Sequence, residues 1–572
     1  MSTQKKYMGS SHFKNTAIAI AVASSFVMAQ AWAADTAVGS GTGVAVGATS
    51  STTGANQIAI DPNAKTDSTH SKNTGEAGIA IGANAKTITE VGQKGAAVVF
   101  MDPKSGNNNN FGAGGIAIGK NSIGYNGSTV LGQHDYTGQI GDVNVNKQED
   151  ASNSYENLQY GFGATSVGYN SYTAGQYATS IGAYNVNSAN YYPGGTNTVN
   201  GNSTVFQGLG ATIIGSFNSN ESRSSQSAVS GMANSLIGIA NRTQNSNGSL
   251  IFGAGNEITN SYASISGLPS SAEDLPSSAE DLANTIRKSV QVSDGGGATL
   301  AIGGANKADY TRRSQMIGVE NSITGTAVNV STNNMVNGYA NTASNVNNVS
   351  VIGSENSITQ TNTAVVVGDK RKLIGADNSV IIGSSSNVTT TNVKNAVAIG
   401  AESNVTVEGG VALGANSIAS TAAGIAGYDL STGTASTDTS ATWKATAAAV
   451  SVGNVANNNN VTRQITGVAA GAADTDAVNV AQLKKAAAAA TTTVATTDSN
   501  LTVAETPSGS HNYQVGLSKT LTGMESAKFT NAAGTEQTSI SQAGVVITKD
   551  STTVSLKATG LDNGGQTITG VA

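Results

Sequence analysis

Chemistry needs side chains that can attack, titrate or ligate, and here they are sparse. The four histidines, His12, His70, His134 and His511, are scattered, and none lies near a recognisable serine nucleophile motif. No His-Glu-x-x-His zinc motif is present. Cysteine is absent, which excludes disulfide scaffolds, thiolate metal sites and cysteine nucleophiles. The run Gly114-Gly115-Ile116-Ala117-Ile118-Gly119-Lys120-Asn121 has the glycine and lysine spacing of a phosphate loop. Asn121 stands where a Ser or Thr would hold magnesium. The same run is also one copy of a repeat that fills the chain. Ser293-Asp294-Gly295-Gly296-Gly297 is a lone acidic glycine turn rather than a repeated calcium-binding nonapeptide. Paired carboxylates such as Glu273-Asp274 read as solvated loop charges. The expectation is a non-catalytic protein with no cofactor and no metal. The enzymatic alternative is a polysaccharide-degrading solenoid, whose carboxylates need not be close in sequence.

The elements that would position any site follow from the repeat. Of 572 residues, 69 are glycine, 11% are charged and 5% are aromatic, which is unlike a globular enzyme with a thick aromatic core. A short apolar run ending in glycine recurs, as in Ile79-Ala80-Ile81-Gly82, Ile116-Ala117-Ile118-Gly119 and Val397-Ala398-Ile399-Gly400. The glycines at 338, 353, 368 and 383 are spaced by 15, and the pairs 168/182 and 400/414 by 14. Each unit reads as one β-branched strand followed by a turn of Gly, Asn and Ser. Stacked about 4.8 Å apart, some twenty coils would make a rod of roughly 100 Å. Ile and Val are expected to form ladders along its interior, while small Ala and Gly permit tight winding. Three stretches break the period: 135–160, 185–202, and a tandem Leu-Pro-Ser-Ser-Ala-Glu-Asp heptapeptide from Leu268 to Asp281. The last continues into a candidate helix from Leu282 to Val290. Such insertions project as loops and often carry binding.

The N-terminus reads as a secretory signal over residues 1–33. Lys5, Lys6 and Lys14 precede an uncharged apolar stretch, and Ala31-Trp32-Ala33 places cleavage between Ala33 and Ala34. Removal leaves 26 basic against 35 acidic residues, a net charge of −9. An acidic surface repels phosphate backbones, so nucleic acid is not expected as a partner.

After Gly414 the strand repeat fades. From Val480 the apolar spacing changes to alternating threes and fours through Val480, Leu483, Ala487, Ala490, Val494, Thr497 and Leu501, an a/d seam over three heptads. Val at a with Leu at d usually favours two strands, so this spacing does not by itself give a trimer. Residues 502–572 hold strand-like runs such as Gly544-Val545-Val546-Ile547-Thr548 and Thr553-Val554-Ser555-Leu556. The last five residues, Ile568 to Ala572, repeat Ile465-Thr466-Gly467-Val468-Ala469.

The head repeats and the segment Asp476-Ala477-Val478-Asn479-Val480-Ala481-Gln482-Leu483-Lys484 resemble the trimeric autotransporter adhesins of the YadA-like family. The resemblance covers residues from about 40 to 500. It implies a mainly β fold: a homotrimer with left-handed parallel β-roll heads, a neck, a short coiled-coil stalk and a further β-rich stalk segment. The expected boundaries are 34–427 for the head, 428–479 for connector and neck, 480–501 for the coiled coil and 502–572 for the β-rich segment. It further implies display on the bacterial surface through an outer-membrane β-barrel, expected beyond residue 572 because no alternating membrane strands are present here. The run Asn378-Ser379-Val380-Ile381-Ile382-Gly383-Ser384-Ser385-Ser386 resembles that family's collagen-associated pattern, with Ile381 in place of Ala. Candidate matrix-binding residues are therefore Asn378, Ser379, Val380, Ile382, Gly383 and Ser386. The implied partners are other copies of the chain, and a host matrix protein, a host receptor or other bacterial cells. The alternative is a fibre that sticks to its own kind.

Overall fold

The structure, a computed structural model, describes residues 40–571 apart from 42, 53–56, 71–77, 91–114, 126, 138–162, 188–207, 222–229, 269–278, 456–459 and 535. The leader with Ala33 and Ala34 lies outside the described residues, as do Gly114, most of the first two insertions and most of the heptapeptide. The chain divides into two units between Gln464 and Ile465.

The first unit is a parallel β-solenoid. The repeated apolar run forms a strand, and each strand pairs in register with the next copy: Ile58–Ile60 with Ile79–Ile81, Ser314–Val319 with Met335–Tyr339, Val380–Ile382 with Val397–Ile399. The polar half of the repeat is more than a turn. It forms a second short strand, such as Ser322–Thr324, Thr342–Ser344 and Ser357–Thr359, and these stack into a second parallel sheet. Serine and threonine flank one apolar residue there, so the period-two alternation of a strand is satisfied in three residues.

That alternation also decides which residues are inside. In the first sheet only the middle residue of each run is buried: Ala59, Ala80, Val336, Val351 and Ala398 are fully enclosed. Val336, Val351 and Ala398 share one core with the middle residues of the second sheet, among them Ile323, Ile358 and Leu373, while Ala59 and Ala80 pack with Ala64 and Ala85. The flanking Ile and Val face outward, with Ile352 still 47% exposed. The expected interior Ile and Val ladder is present, as where Val336, Val351, Val366 and Ile381 stack in register and fully buried, but the coil has room for one inward side chain per strand, and the pleat turns the flanking Ile and Val out.

Glycine ends the run for a backbone reason. Gly338 has φ +128°, and a Cβ there would overlap the Gly353 carbonyl of the next coil. Three residues on, an asparagine enters the interior. Asn306 Nδ2 donates to Asn256 Oδ1 (2.9 Å) and to the Gly318 carbonyl (2.8 Å), while its Oδ1 accepts the Asn321 backbone N–H (3.1 Å). The pattern repeats at Asn321, Asn341 and Asn356, a continuous amide ladder. Arg371 ends it. Fully buried, it donates from Nε to Gly383 O (2.6 Å), from Nη1 to Ser403 O (2.6 Å) and from Nη2 to Gly400 O (3.1 Å). Burial pushes its guanidinium below the usual arginine range, opposed by Glu402.

The third insertion returns as a helix, Ala279–Val292, longer than the expected Leu282 to Val290. It seats Leu282 against Leu209 and Met232 of the solenoid. The winding continues past residue 427: Val450–Ser451 pairs with Val411–Ala412, so 421–449 is an excursion containing the hairpin Tyr428–Asp429 and Thr434–Ala435. Arg463 returns to the solenoid, with Nη1 on Ser417 Oγ (2.9 Å).

The second unit has a helix, Val480–Ala489, a hairpin of Leu501–Glu505 with Tyr513–Leu517, and a five-stranded antiparallel sheet from Ser526 to Asp562. The strand-like runs expected at 544–548 and 553–556 are strands of that sheet.

Candidate binding faces

The outward flank of the first sheet runs along the solenoid from coil to coil. Because every pair is in register, the third residue of each run stacks on its counterpart. Val46, Ile60, Ile81, Ile118 and Leu131 form one stretch, and Ile352, Val367, Ile382, Ile399 and Leu413 another. Between them the column stays apolar except at Asn337. Single exposed aliphatics are ordinary on a protein surface; a contiguous stripe is the kind of patch that marks an interaction face.

A different face lies at the corner just after the glycines. His134, Tyr184 and Phe217 each sit two residues beyond a glycine, with φ near +55°, and Tyr169 sits one beyond. His134 meets Tyr169 edge-on at 6.3 Å, Tyr169 meets Tyr184 at 5.5 Å, and Tyr184 stacks on Phe217 at 5.4 Å with 6° between the rings. Phe217 is 57% exposed. The sequence reading missed this corner, although aromatics at a fixed offset from the repeat glycine were the available signal.

The proposed matrix-binding residues do not form one surface. Asn378, Ile382 and Ser386 are exposed, Gly383 and Val380 are half-buried, and Ser379 is fully buried. Ser379 Oγ accepts the Ala396 N–H (3.1 Å) and donates to Asp377 O (3.3 Å), so its role is to join coils. Asn378 Nδ2 donates to Asn395 Oδ1 (3.4 Å), and the Ser386 N–H donates to Glu402. The phosphate-loop spacing falls on a strand, Ile116–Ile118, followed by the coil turn at Gly119 and Lys120. A phosphate site of that type needs a loop running into a helix, which the described residues do not provide there. Among the described residues no group of three or more His, Asp or Glu is placed to hold a metal ion.

In the second unit the polar letters of the neck segment each have a bond to make. Asp476 Oδ2 accepts the Ala472 and Ala473 N–H groups (2.8 and 3.0 Å), which hold its carboxyl below the usual range, Ala473 foremost. Asn479 caps the helix by accepting the Gln482 N–H (3.0 Å), and Gln482 reaches back to the Asn479 N–H (3.3 Å). Gln482 also brackets Gly471, accepting its N–H and donating to its carbonyl at 3.0 Å each.

Of the expected seam, Val480, Leu483 and Ala487 lie on the helix and Ala490 is its C-cap. Val494 follows the helix and Leu501 opens a strand, so the helical seam is shorter than its spacing predicts. The run Thr491-Thr492-Thr493-Val494 is β-branched and resists helix once the alanines end. Val480 and Leu483 are 67% and 63% exposed in the single chain. In the five-stranded sheet Ala527, Ile540, Val545, Leu556 and Leu561 stand in one cross-strand row, and Phe529, Ile547 and Val554 share their face. That apolar face is likewise bare.

Residues 464–505 match the family model for the coiled stalk of trimeric autotransporter adhesin. The chain is 37% identical over 179 residues to autotransporter adhesin BadA of Bartonella henselae, covering 28% of this chain and 6% of that protein. It is 54% identical over 70 residues to trimeric autotransporter adhesin AtaA of an Acinetobacter species (strain Tol 5), covering 12% of this chain and 2% of that protein. The chain therefore spans only a small part of the length of these relatives.

Proposed function

From this similarity to trimeric autotransporter adhesins, we propose that the chain is the head and upper stalk of a non-catalytic surface adhesin that works as a homotrimer. The observation that carries the reading is the outward apolar column of the solenoid. A lone chain leaves it in water along its whole length, and burying it between copies gains about 25 cal/mol per Å² of apolar surface. The bare seam at Val480 and Leu483 and the apolar face of the 526–562 sheet need the same cover. Three copies in parallel multiply every contact made by the remaining faces, so weak sites gain avidity. The exposed members of the 378–386 run and the aromatic corner at Tyr169, Tyr184 and Phe217 are the faces offered to a host matrix protein, a host receptor or another bacterial cell. The β-barrel anchor to the outer membrane is proposed with the same family reading.

Light scattering of the purified chain should give three times the mass of one chain. Immobilised matrix proteins, host cells and partner bacteria should retain it. Release of products from a polysaccharide would overturn the non-catalytic reading, and attachment only to its own copies would favour the self-associating fibre.

A further inference from the structure

The interior ladder contains one rung of the wrong chemistry. Every rung from Ser171 to Arg371 donates to the glycine carbonyl of the next coil. Ser171 Oγ donates to Gly182 O (3.2 Å), Asn185 Nδ2 to Gly215 O (2.7 Å), Asn218 Nδ2 to Gly238 O (2.8 Å), and so on to Arg371 Nε on Gly383 O. Each asparagine Oδ1 also accepts the backbone N–H of the rung after it, as Asn185 does from Asn218 (3.1 Å). Asp135 stands at the same position, three residues after Gly132 and one rung before Ser171. Its Oδ1 makes the ladder bond, accepting the Ser171 N–H at 2.9 Å. Its Oδ2 takes the place of the amide nitrogen, beside Gly132 and the Gly168 carbonyl. Asp135 is fully buried, and Oδ2 has no hydrogen-bond partner. An ionised oxygen there has nothing to donate to a carbonyl that every later rung satisfies with a donor.

We propose that Asp135 occupies its rung as the neutral acid, its Oδ2 hydroxyl donating to the Gly168 carbonyl, so that the surrounding coils tighten in acid and loosen as the pH rises toward 8. Burial pushes this carboxyl up to about 6, with the Ser171 N–H and the Gly168 backbone pulling the other way. The folded state thus binds the proton more tightly than the unfolded chain. The stabilisation is complete below the ordinary value of 3.8 and is lost as the pH climbs through 6. These coils have little margin, because the buried hydroxyls of Ser166, Thr173 and Ser180 lack partners. The titratable residues on the packed elements are Lys120 and Tyr125 on the preceding coil, His134 and Tyr136 on either side of Asp135 in its own coil, and Tyr169 and Tyr172 on the next. His134 lies at the outer corner, where its Nε2 meets Asn121 Nδ2 at 3.1 Å.

The test is hydrogen exchange of the full chain, followed in peptides covering 116–137 and 163–187 and corrected for the intrinsic pH dependence of exchange. Linkage between 3.8 and 6 gives about a tenfold rise in local opening from pH 5 to pH 8. Asp135→Asn, which places the ladder's own amide at the rung, should abolish the rise, and His134→Gln should keep it. A rise that persists in Asp135→Asn, vanishes in His134→Gln, or is absent from the wild type overturns the proposal. If Asp135→Asn does not fold, infrared spectra of the wild type decide. A carboxylic acid band at pH 6 that fades by pH 8 is expected, and its absence at pH 6 refutes the neutral acid.

Discussion

Placing carboxylates on the outward column separates the fold of one coil from the assembly of copies. In the triple variant Ile317→Asp, Ile352→Asp and Ile399→Asp, each replaced side chain lies on the outer pleat at 40%, 47% and 40% exposure. Within a single chain the carboxylates reach water. The loss is then the half-buried aliphatic surface, about 1 kcal/mol per site. In an assembly that covers the column, each carboxylate is desolvated without a cation beside it, at a cost of roughly 3 kcal/mol or more. Three sites give about 9 kcal/mol per chain against association, beyond what micromolar protein sustains. Light scattering should report monomers, while circular dichroism should keep the β signal, because the inward residues Met316, Val351 and Ala398 are untouched. A variant that still assembles at wild-type mass would refute the claim that this column is the covered face. Loss of β structure in proportion to loss of assembly would refute the claim that one chain winds by itself.

Asn306→Ala should cost about 2–6 kcal/mol in the local stability of coils 250–324, since it strands the Gly318 carbonyl and the Asn321 N–H inside the solenoid, while Asn256 Oδ1 keeps the residue-306 backbone N–H. Protection of those coils against exchange is the readout, with coils near residue 60 unaffected. The double variant Asn378→Ala and Ser386→Ala should weaken retention on immobilised collagen several-fold with little change in unfolding. Ser379→Ala should do the reverse, losing about 1 kcal/mol of stability and little binding. Tyr184→Ala with Phe217→Ala should lower attachment to whichever surface retains the wild type while leaving the β signal intact, because both rings lie outside the core.

Much of this architecture was legible in the sequence. Recurring short runs ending in glycine, at intervals of 14 and 15, require stacked parallel strands, because no single run is long enough to be stable alone. Glycine at the end of each run encodes the left-handed turn, and Asp476 to Leu483 encodes a capped helix start. What the sequence left open was direction. The same alternation of large and small residues fits large-inside or small-inside winding. The closed coil decided it, admitting one inward side chain per strand, from Ala80 to Met316 and Ile381, while the pleat turns Ile81 and Ile352 outward. Asn306 and Asn378 are the same letter in similar repeats, yet one is a buried rung and the other an exposed corner, because Asn306 follows the glycine of a first-sheet strand while Asn378 precedes the strand Val380–Ile382. The rung held by Asp135 is likewise invisible until the coils are stacked. Its neighbours in space, Gly168 and Ser171, lie more than thirty residues away along the chain, beyond an insertion of no fixed period.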